Sequence, residues 1–197
     1  MMQHTKKDIR KAYNDKRLAL TEEEWAILNM DLLLQFSNFA LEGIQYLHIF
    51  LPILSRKEVD TFLLAVWIRE HYPTIQLVTS QSNFETNDMR HVIWYDDAVL
   101  QENAYGIPEP VGGDDVNPLL IDAVLIPMLA FDENGHRVGY GKGMYDRFLS
   151  LCKPKVLKIG LSLFDSLPAP ITDIYAGDIS LDVAITPGST YYFNSKS

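Results

Sequence analysis

The chain has 197 residues, of which 47% are hydrophobic and 22% charged. That is enough for one domain with a sizeable core and too little for two ordinary domains. No apolar run approaches the roughly 18–20 residues that span a bilayer, and no apolar signal segment follows the polar start. Cys152 is the single cysteine, which excludes an internal disulfide and fits a reducing compartment. We therefore expect a cytoplasmic protein without a membrane partner.

The charge is unevenly distributed along the chain. The net charge is −9, yet residues 1–17 carry +4 and the other 180 residues carry −13. An acidic body repels nucleic acid, so DNA and RNA are not expected partners. The basic segment suits a compact anionic ligand, although a basic helix that faces solvent gives the same pattern.

The hydrophobic pattern predicts helices that alternate with strands. Helices are expected over residues 6–19, after the capping box of Thr21 and Glu24, from Asp60 to about residue 71, and over residues 144–152. Buried strands are expected over residues 46–51, 75–79, 91–95, 122–131, 156–161 and 182–186. Continuously hydrophobic strands alternating with helices predict an α/β fold, a three-layer sandwich with helices on both faces of a mostly parallel sheet.

Two further segments complete this organisation. Residues 105–118 read as a long loop rich in Pro, Gly and Asp, and loops of that length inside a compact domain are often functional. We expect one domain over residues 1–197, which begins with the basic helix and ends in a short disordered tail from about residue 193.

The most informative motif is RVGYGKGMYDR, residues 137–147. Its glycines let the backbone approach an anion, and it lies between a predicted strand and a helix N-terminus that favours negative charge. Three cations flank the glycines and can bind phosphate: Arg137, Lys142 and Arg147. The motif lacks the Ser/Thr after Lys of a Walker A loop and the spacing of a dinucleotide fingerprint. It predicts a phosphate-binding loop; the alternative is a glycine-rich turn with incidental charges.

Acidic residues near this loop are candidate ligands of a metal or substrate. Asp146 and Asp182 suit Mg²⁺, which prefers carboxylate and phosphate oxygens. A first-turn acid that stabilises its helix, and a strand-edge acid, are equally good interpretations of these two residues. Glu58 and Glu109 could hydrogen-bond a polar heterocycle, although solvated loop acids give the same pattern.

Five motifs, taken together, resemble the 5-formyltetrahydrofolate cyclo-ligase (methenyltetrahydrofolate synthetase) family. The glycine loop matches the family's R-x-G-x-G-x-G-x-Y-D signature. The other four matches occur in the family's order along the chain: Lys6 with Arg10, the EVDT sequence of residues 58–61, the GIPEP sequence of residues 106–110, and the DISLD sequence of residues 178–182. The chain differs at Met128, where the family commonly has glycine, and over a longer segment, residues 52–57.

The resemblance implies a role for each matching residue. ATP would be bound by the basic helix and the glycine loop: Lys6, Arg10, Arg137, Gly139, Gly141, Lys142, Gly143 and Tyr145. Lys142, Arg137 and Tyr145 would also act in catalysis, and Asp146 and Asp182 would hold Mg²⁺. The reduced folate, with or without a polyglutamate tail, would contact Glu58, Tyr105 and Glu109.

The implied reaction converts 5-formyltetrahydrofolate to 5,10-methenyltetrahydrofolate, with ATP consumed to ADP and phosphate. The implied fold is similar to that of sugar-phosphate isomerases and CoA transferases, and a monomer is expected. Two other classes remain open: an isomerase or CoA-transferase-like enzyme that uses the loop for another phosphate, and a non-catalytic nucleotide- or folate-binding regulator. The missing acid–base motif disfavours the first, and the two candidate metal ligands disfavour the second.

Overall fold

The computed structural model describes residues 5–193 and contains four α-helices within them. They are α1 (Lys6–Leu18), α2 (Glu22–Ser37), α3 (Thr61–His71) and α4 (Met144–Leu151). All four begin where the sequence prediction places them, and α1, α3 and α4 end within about one residue of the predicted position. The part of the predicted disordered tail that follows residue 193 lies outside the described residues.

Seven strands form the main sheet, and four short strands form two separate hairpins. In chain order the strands are β1 (Tyr46–His48), β2 (Gln76–Asn83), β3 (Asp88–Ile93), β4 (Leu100–Glu102), β5 (Pro108–Pro110), β6 (Ala123–Pro127), β7 (Ala130–Phe131), β8 (Arg137–Val138), β9 (Leu157–Leu161), β10 (Val183–Ile185) and β11 (Thr190–Tyr192). The main sheet has the order β11-β10-β9-β6-β1-β2-β3. Its five inner strands are parallel, and the two edge strands are antiparallel to their neighbours.

Alternate side chains of the inner strands enter two different hydrophobic clusters, because successive residues of a strand point to opposite faces. On β6, Leu125 packs in the cluster formed with α2 and α3, whereas Val124 and Ile126 pack in the cluster formed with α4. Phe36 of α2 and Phe148 of α4 are the corresponding buried aromatic residues. The predicted α/β sandwich, with its mostly parallel sheet covered on both faces, is therefore confirmed.

Helix boundaries follow local capping, as expected. The Thr21 hydroxyl accepts from the Glu24 amide, and the Glu24 carboxylate accepts from the Thr21 amide, which completes the capping box of α2. Asp60 caps α3 through the Phe62 amide. These contacts satisfy amides that have no partner inside a helix.

Four short strands, β4, β5, β8 and β11, were not predicted, and β5 lies inside the predicted long loop. The predicted strands differ from the observed ones in three further ways. The segment 46–51 is strand only to His48, although residues 49–51 remain buried. The segment 122–131 is not one strand, since β6 ends at Pro127 and β7 belongs to another sheet. The segments 75–79 and 91–95 belong to one long hairpin, in which β3 is antiparallel. Hydrophobicity marked the burial of these residues but not the points at which the chain leaves the sheet.

Met128 packs in the core and not against a ligand site. Its side chain lies over Gly160 of β9, where a Cβ atom would come within 2.6 Å of Met128 Cε. The family difference at Met128 is thus accommodated by a glycine on the neighbouring strand.

Helix α1 packs across the β7–β8 hairpin through a small apolar cluster. Ile9 of α1 is buried there with Ala130, Val138, Leu167 and Ile171. This packing brings the basic helix against the start of the glycine loop. Over the described residues, no helix is both long and apolar enough to cross a bilayer.

Candidate active site

A cavity of about 560 Å³ opens at the carboxyl ends of the parallel strands. His48 is the last residue of β1 and Pro127 is the last residue of β6, and both line the cavity. Ligands of open α/β sheets commonly bind at this edge. The glycine loop, helix α1 and residues from 174 to 180 form one part of its wall, and residues from 50 to 58, from the β2–β3 hairpin and from 105 to 108 form another.

The glycine loop adopts a conformation that requires glycine at two positions. Gly141 has a φ of +86° and Gly143 a φ of +65°, in the left-handed region that favours glycine. Gly143 is the N-cap of α4, so the loop ends at the positive end of that helix. Arg147 donates from Nη2 to the Lys142 carbonyl at 2.6 Å. Within residues 5–193, no ion pair is found for the Lys142 ammonium, which leaves it available to an anion.

Helix α1 supplies a second wall to the same end of the cavity. Arg10 Nε donates to the Gly139 carbonyl at 2.9 Å, and its guanidinium lies against the face of Gly141 where a side chain would be. Lys6 forms an ion pair with Asp178. Although burial alone raises the pKa of Asp178, the hydrogen bond from Lys6 holds it below its usual value. The predicted cations Lys6 and Arg10 are therefore brought to the loop.

Arg137 and Asp146 form a largely buried ion pair at the start and end of the motif. Arg137 Nη2 lies 2.6 Å from Asp146 Oδ1, and Nη1 donates to the Ile179 carbonyl. The same Asp146 oxygen accepts from the Ile179 amide at 3.1 Å. Arg137 is thus occupied with fixing Asp146, which keeps its Oδ2 atom for a ligand.

Glu58 lies at the other end of the cavity in a network of three elements. Its Oε2 accepts from the Ile53 amide at 2.8 Å, and its Oε1 accepts from the Tyr140 hydroxyl. Arg17 donates to that hydroxyl at 2.7 Å. The segment 52–57 contains a 3₁₀ turn, and the Ile53 amide that precedes this turn is the donor to Glu58. Each oxygen of the carboxylate therefore accepts one hydrogen bond from the protein.

Two tyrosines of the motif face Glu58. Burial raises the pKa of Tyr145, and the negative charge of Glu58 adds to this effect. Burial and Glu58 likewise raise the pKa of Tyr140, against the opposing effect of Arg17. Both side chains are therefore neutral phenols at physiological pH, which can donate hydrogen bonds but cannot act as bases.

An aromatic pair from two turns also lines the cavity. Tyr105 in the β4–β5 turn and Phe84 in the β2–β3 turn have ring centroids 3.9 Å apart. Both rings line the cavity. They offer a surface on which a flat heterocycle can stack.

A buried histidine pair lies beside the cavity and was not predicted from the sequence. His48 Nε2 lies 2.7 Å from Ser80 Oγ, which lies 3.1 Å from His91 Nδ1. His91 stacks on Phe148 with ring centroids 4.0 Å apart. Burial lowers the pKa of His91 to about 4 and the pKa of His48 well below its usual value. Both imidazoles are neutral near pH 7.

Two predicted site residues lie away from the cavity. Asp182 precedes β10, at the amino edge of the sheet, where it forms an ion pair with Lys158 at 2.7 Å. Glu109 of β5 accepts hydrogen bonds from the Ser82 amide and from the Asn103 side chain. Both carboxylates hold the fold together. Asp178, four residues before Asp182, is the acid of that motif that does line the cavity.

The donor set for a metal is small. Residues 5–193 contain no group of three or more His, Cys, Asp or Glu side chains able to hold a metal ion. Asp146 and Asp178 are the carboxylates on the phosphate side of the cavity. Mg²⁺ that is bound mainly through substrate phosphates and water needs only one or two protein carboxylates. Asp146 and Asp178 are therefore suitable ligands for such an ion.

Sequence reasoning missed Arg17, Tyr140, His48 and Ser80 as residues of the site or its support. Arg17 was visible as one charge of a basic helix, and Tyr140 as a residue between two glycines of the motif. Nothing in the sequence indicated that they meet Glu58, because the contacts join positions 82 and 123 residues apart.

These features define a class of protein: an α/β protein with a cavity at the carboxyl edge of its sheet, lined by a glycine-rich loop and several cations. Comparisons with known proteins are more specific. A family model described as the 5-formyltetrahydrofolate cyclo-ligase family matches residues 2–173. The chain belongs to this family.

Similar proteins agree with that assignment. The chain superposes with a TM-score of 0.78 on the NMR structure of Aquifex aeolicus 5,10-methenyltetrahydrofolate synthetase, at 30% identity over 98% of this chain and 94% of that one. It is 45% identical over 75 residues to the 5-formyltetrahydrofolate cyclo-ligase of Mycoplasma genitalium, and 30% identical over 115 residues to that of Escherichia coli. These stretches cover 38% and 55% of this chain, and 44% and 60% of the relatives.

Because the two histidines are buried in the neutral form, we expect the free energy of unfolding to fall in mild acid. Because its folded-state pKa is lowered from 6.5 to about 4, His91 contributes stability that is complete above pH 6.5 and is lost as the pH falls toward 4. The contribution is about 3 kcal/mol, since each pKa unit is about 1.4 kcal/mol.

Urea unfolding of wild type and His91→Gln, compared at pH 7.5 and pH 4.5, measures this contribution. Asp and Glu residues titrate equally in both proteins, so the variant is expected to lose less stability between the two pH values. Equal losses would contradict the assignment of the pH dependence to His91.

Proposed function

We propose that this protein converts 5-formyltetrahydrofolate to 5,10-methenyltetrahydrofolate and consumes ATP in doing so. The observation that carries the proposal is one continuous cavity with two chemically different ends. One end has glycine-loop amides, Lys142 and Arg10, which suit a triphosphate. The other end has Glu58 beside an aromatic pair, which suits a pterin.

The loop amides and the basic residues at the phosphate end would have different roles in binding ATP. The loop amides from Gly139 to Gly143 and the N-terminus of α4 would bind phosphate oxygens. Lys142, whose ammonium faces the open side of the loop, would neutralise the phosphoryl group as it is transferred. Arg10 would act both on the phosphates and on the loop carbonyl, and Lys6 would be shared with Asp178. Arg137 would act mainly by orienting Asp146.

The folate end would hold the acceptor of the phosphoryl group. Glu58 keeps lone pairs free on both oxygens, and a ring with N–H groups is a suitable donor to them. Tyr105 and Phe84 would stack on the pterin, which orients the N5-formyl group toward Lys142. Tyr145 would donate a hydrogen bond as a neutral phenol. Positioning of this kind can supply several kcal/mol toward a reaction between two bound groups.

The reaction proceeds in two steps. The formyl oxygen attacks the γ-phosphorus of ATP, ADP leaves, and an iminium phosphate forms at the formyl carbon. N10 of the folate then attacks that carbon, the C–O bond breaks, and phosphate leaves with its electron pair as the N10 proton is released. Phosphorylation is needed because an amide oxygen is a poor leaving group. Positioning and charge neutralisation are sufficient roles for the protein, consistent with the lack of an activated base among the tyrosines and histidines of the site.

Magnesium would be held on the phosphate side by Asp146, through its remaining oxygen, with Asp178 as the second candidate. Asp182 is not included, since it lies at the opposite edge of the sheet in an ion pair with Lys158. Bound there, Mg²⁺ would offset the negative charge of the phosphates. A cytoplasmic monomer that acts on polyglutamylated folate remains a prediction from the sequence.

The activity is tested by mixing the protein with 5-formyltetrahydrofolate, Mg²⁺ and ATP and following the near-ultraviolet absorbance of the methenyl product. Product is expected only with ATP present. Lys142→Ala is expected to raise the KM for ATP by about tenfold or more, because a charge-assisted hydrogen bond contributes about 1.5–3 kcal/mol. The KM for folate should change far less.

Lys155→Ala is the matched control, since Lys155 is an exposed lysine after α4 that does not line the cavity, and it should behave as wild type. ATP-independent product, or equal rises in both KM values for Lys142→Ala, would contradict the proposal.

The two acids Asp146 and Asp182 give opposite expectations for metal dependence. Asp146→Asn is expected to raise the Mg²⁺ concentration for half-maximal activity by about tenfold, a loss of about 1.4 kcal/mol. Asp182→Asn is expected to leave that concentration unchanged and to lower the free energy of unfolding instead. A titration of activity with Mg²⁺ and a urea unfolding curve for each variant separate the two roles. A Mg²⁺ requirement altered by Asp182→Asn alone would reverse the assignment.

A further inference from the structure

The Tyr140 hydroxyl joins the two ends of the cavity. It donates to Glu58 Oε1 at the folate end and accepts from Arg17 Nη1 at 2.7 Å. The Arg17 and Glu58 side chains are only 5% and 7% exposed, whereas the Tyr140 ring, at 38% exposed, faces the cavity. A residue of the phosphate loop is thereby hydrogen-bonded to the carboxylate of the proposed folate site.

Arg17 and Glu58 form a long ion pair but no direct hydrogen bond. Arg17 Nη2 lies 3.9 Å from Glu58 Oε1, which is too far for a hydrogen bond. Among the described residues, neither Nη2 nor Nε of Arg17 has a hydrogen-bond partner. Arg17 therefore acts on Glu58 through charge and through the hydroxyl that both of them share.

Because the backbone around Tyr140 is intrinsically flexible, the hydrogen bond from Tyr140 to Glu58 has a large effect on the conformation of the loop. Gly139 and Gly141 flank the tyrosine, and glycine restricts backbone conformation less than any other residue. A Cβ atom at Gly139 would meet nothing within 4 Å, so the surroundings do not confine that residue by packing. The loop is instead held from one side by Arg10 on the Gly139 carbonyl and from the other by the Tyr140 hydroxyl.

We propose that Tyr140 is a positioning residue through which ATP and the reduced folate increase each other's affinity. A triphosphate bound to the loop amides fixes the loop, and the fixed loop holds the Tyr140 hydroxyl on Glu58. The folate then meets a carboxylate that is already ordered, so less conformational entropy is lost when it binds. The inference rests on the proposed function, since it takes ATP and folate as the two ligands.

Linkage makes the effect reciprocal and measurable. The dissociation constant of 5-formyltetrahydrofolate is measured by titration calorimetry with and without a saturating non-hydrolysable ATP analogue and Mg²⁺. Wild type is expected to bind folate about tenfold more tightly with the analogue, within the range usual for coupled sites. The analogue should gain the same factor from folate.

Tyr140→Phe keeps the ring and removes the shared hydroxyl. Its ratio of the two folate dissociation constants is expected to fall below about twofold, while each ligand still binds alone. Tyr192→Phe, at an exposed tyrosine of β11, is the matched control and should keep the wild-type ratio. A wild-type ratio of one, or an unchanged ratio in Tyr140→Phe, would overturn the proposal.

Other outcomes distinguish this inference from the function on which it rests. Wild type that forms the methenyl product but shows no coupling overturns the role of Tyr140 alone. Folded wild type that binds no folate and forms no product overturns both. If Tyr140→Phe fails to fold, amide hydrogen exchange in wild type provides the test: folate alone should slow exchange at residues 139–141, and unchanged exchange there counts against the coupling.

Discussion

The hydrogen bond from Arg10 to the Gly139 carbonyl joins segments 129 residues apart, and the phosphate end of the cavity depends on it. The loop alone would present its amides on one side only. With α1 packed on the β7–β8 hairpin, Arg10 and Lys6 of the helix line the same cavity as the loop. The absence of a side chain at Gly141 leaves the space that the Arg10 guanidinium fills.

The acidic partners of these cations explain how a protein of net charge −9 would hold the proposed polyphosphate ligand. Asp178 and Asp146 pair with Lys6 and Arg137 before any ligand arrives, so these buried cations are not left uncompensated. Lys142 is exposed and lines the cavity. The site therefore combines cations fixed by acids with one cation available to the ligand, and the histidines beneath it add no charge near pH 7.

The sequence predicted the fold class, the helices and the glycine loop, for reasons that are local. Thr21 and Asp60 cap helices that begin at the next residue, and the loop glycines determine the backbone conformation at their own positions. What it could not predict depends on long-range contacts. Asp182 was expected beside Asp146, but strand direction places it at the opposite edge with Lys158, whereas Asp178 reaches the cavity. Glu109 is used by the β-hairpins. Arg17 and Tyr140 acquire roles only because α1 and the loop meet at Glu58.

The claim that α1 and the glycine loop together bind a nucleotide triphosphate is tested most directly by amide hydrogen exchange with a non-hydrolysable ATP analogue and Mg²⁺. Exchange is expected to slow both in residues 6–18 and in residues 139–147, because the phosphates would contact both walls, and to stay unchanged in β11 at the far edge of the sheet. Slowing confined to one of the two segments, or located elsewhere in the chain, would contradict the account.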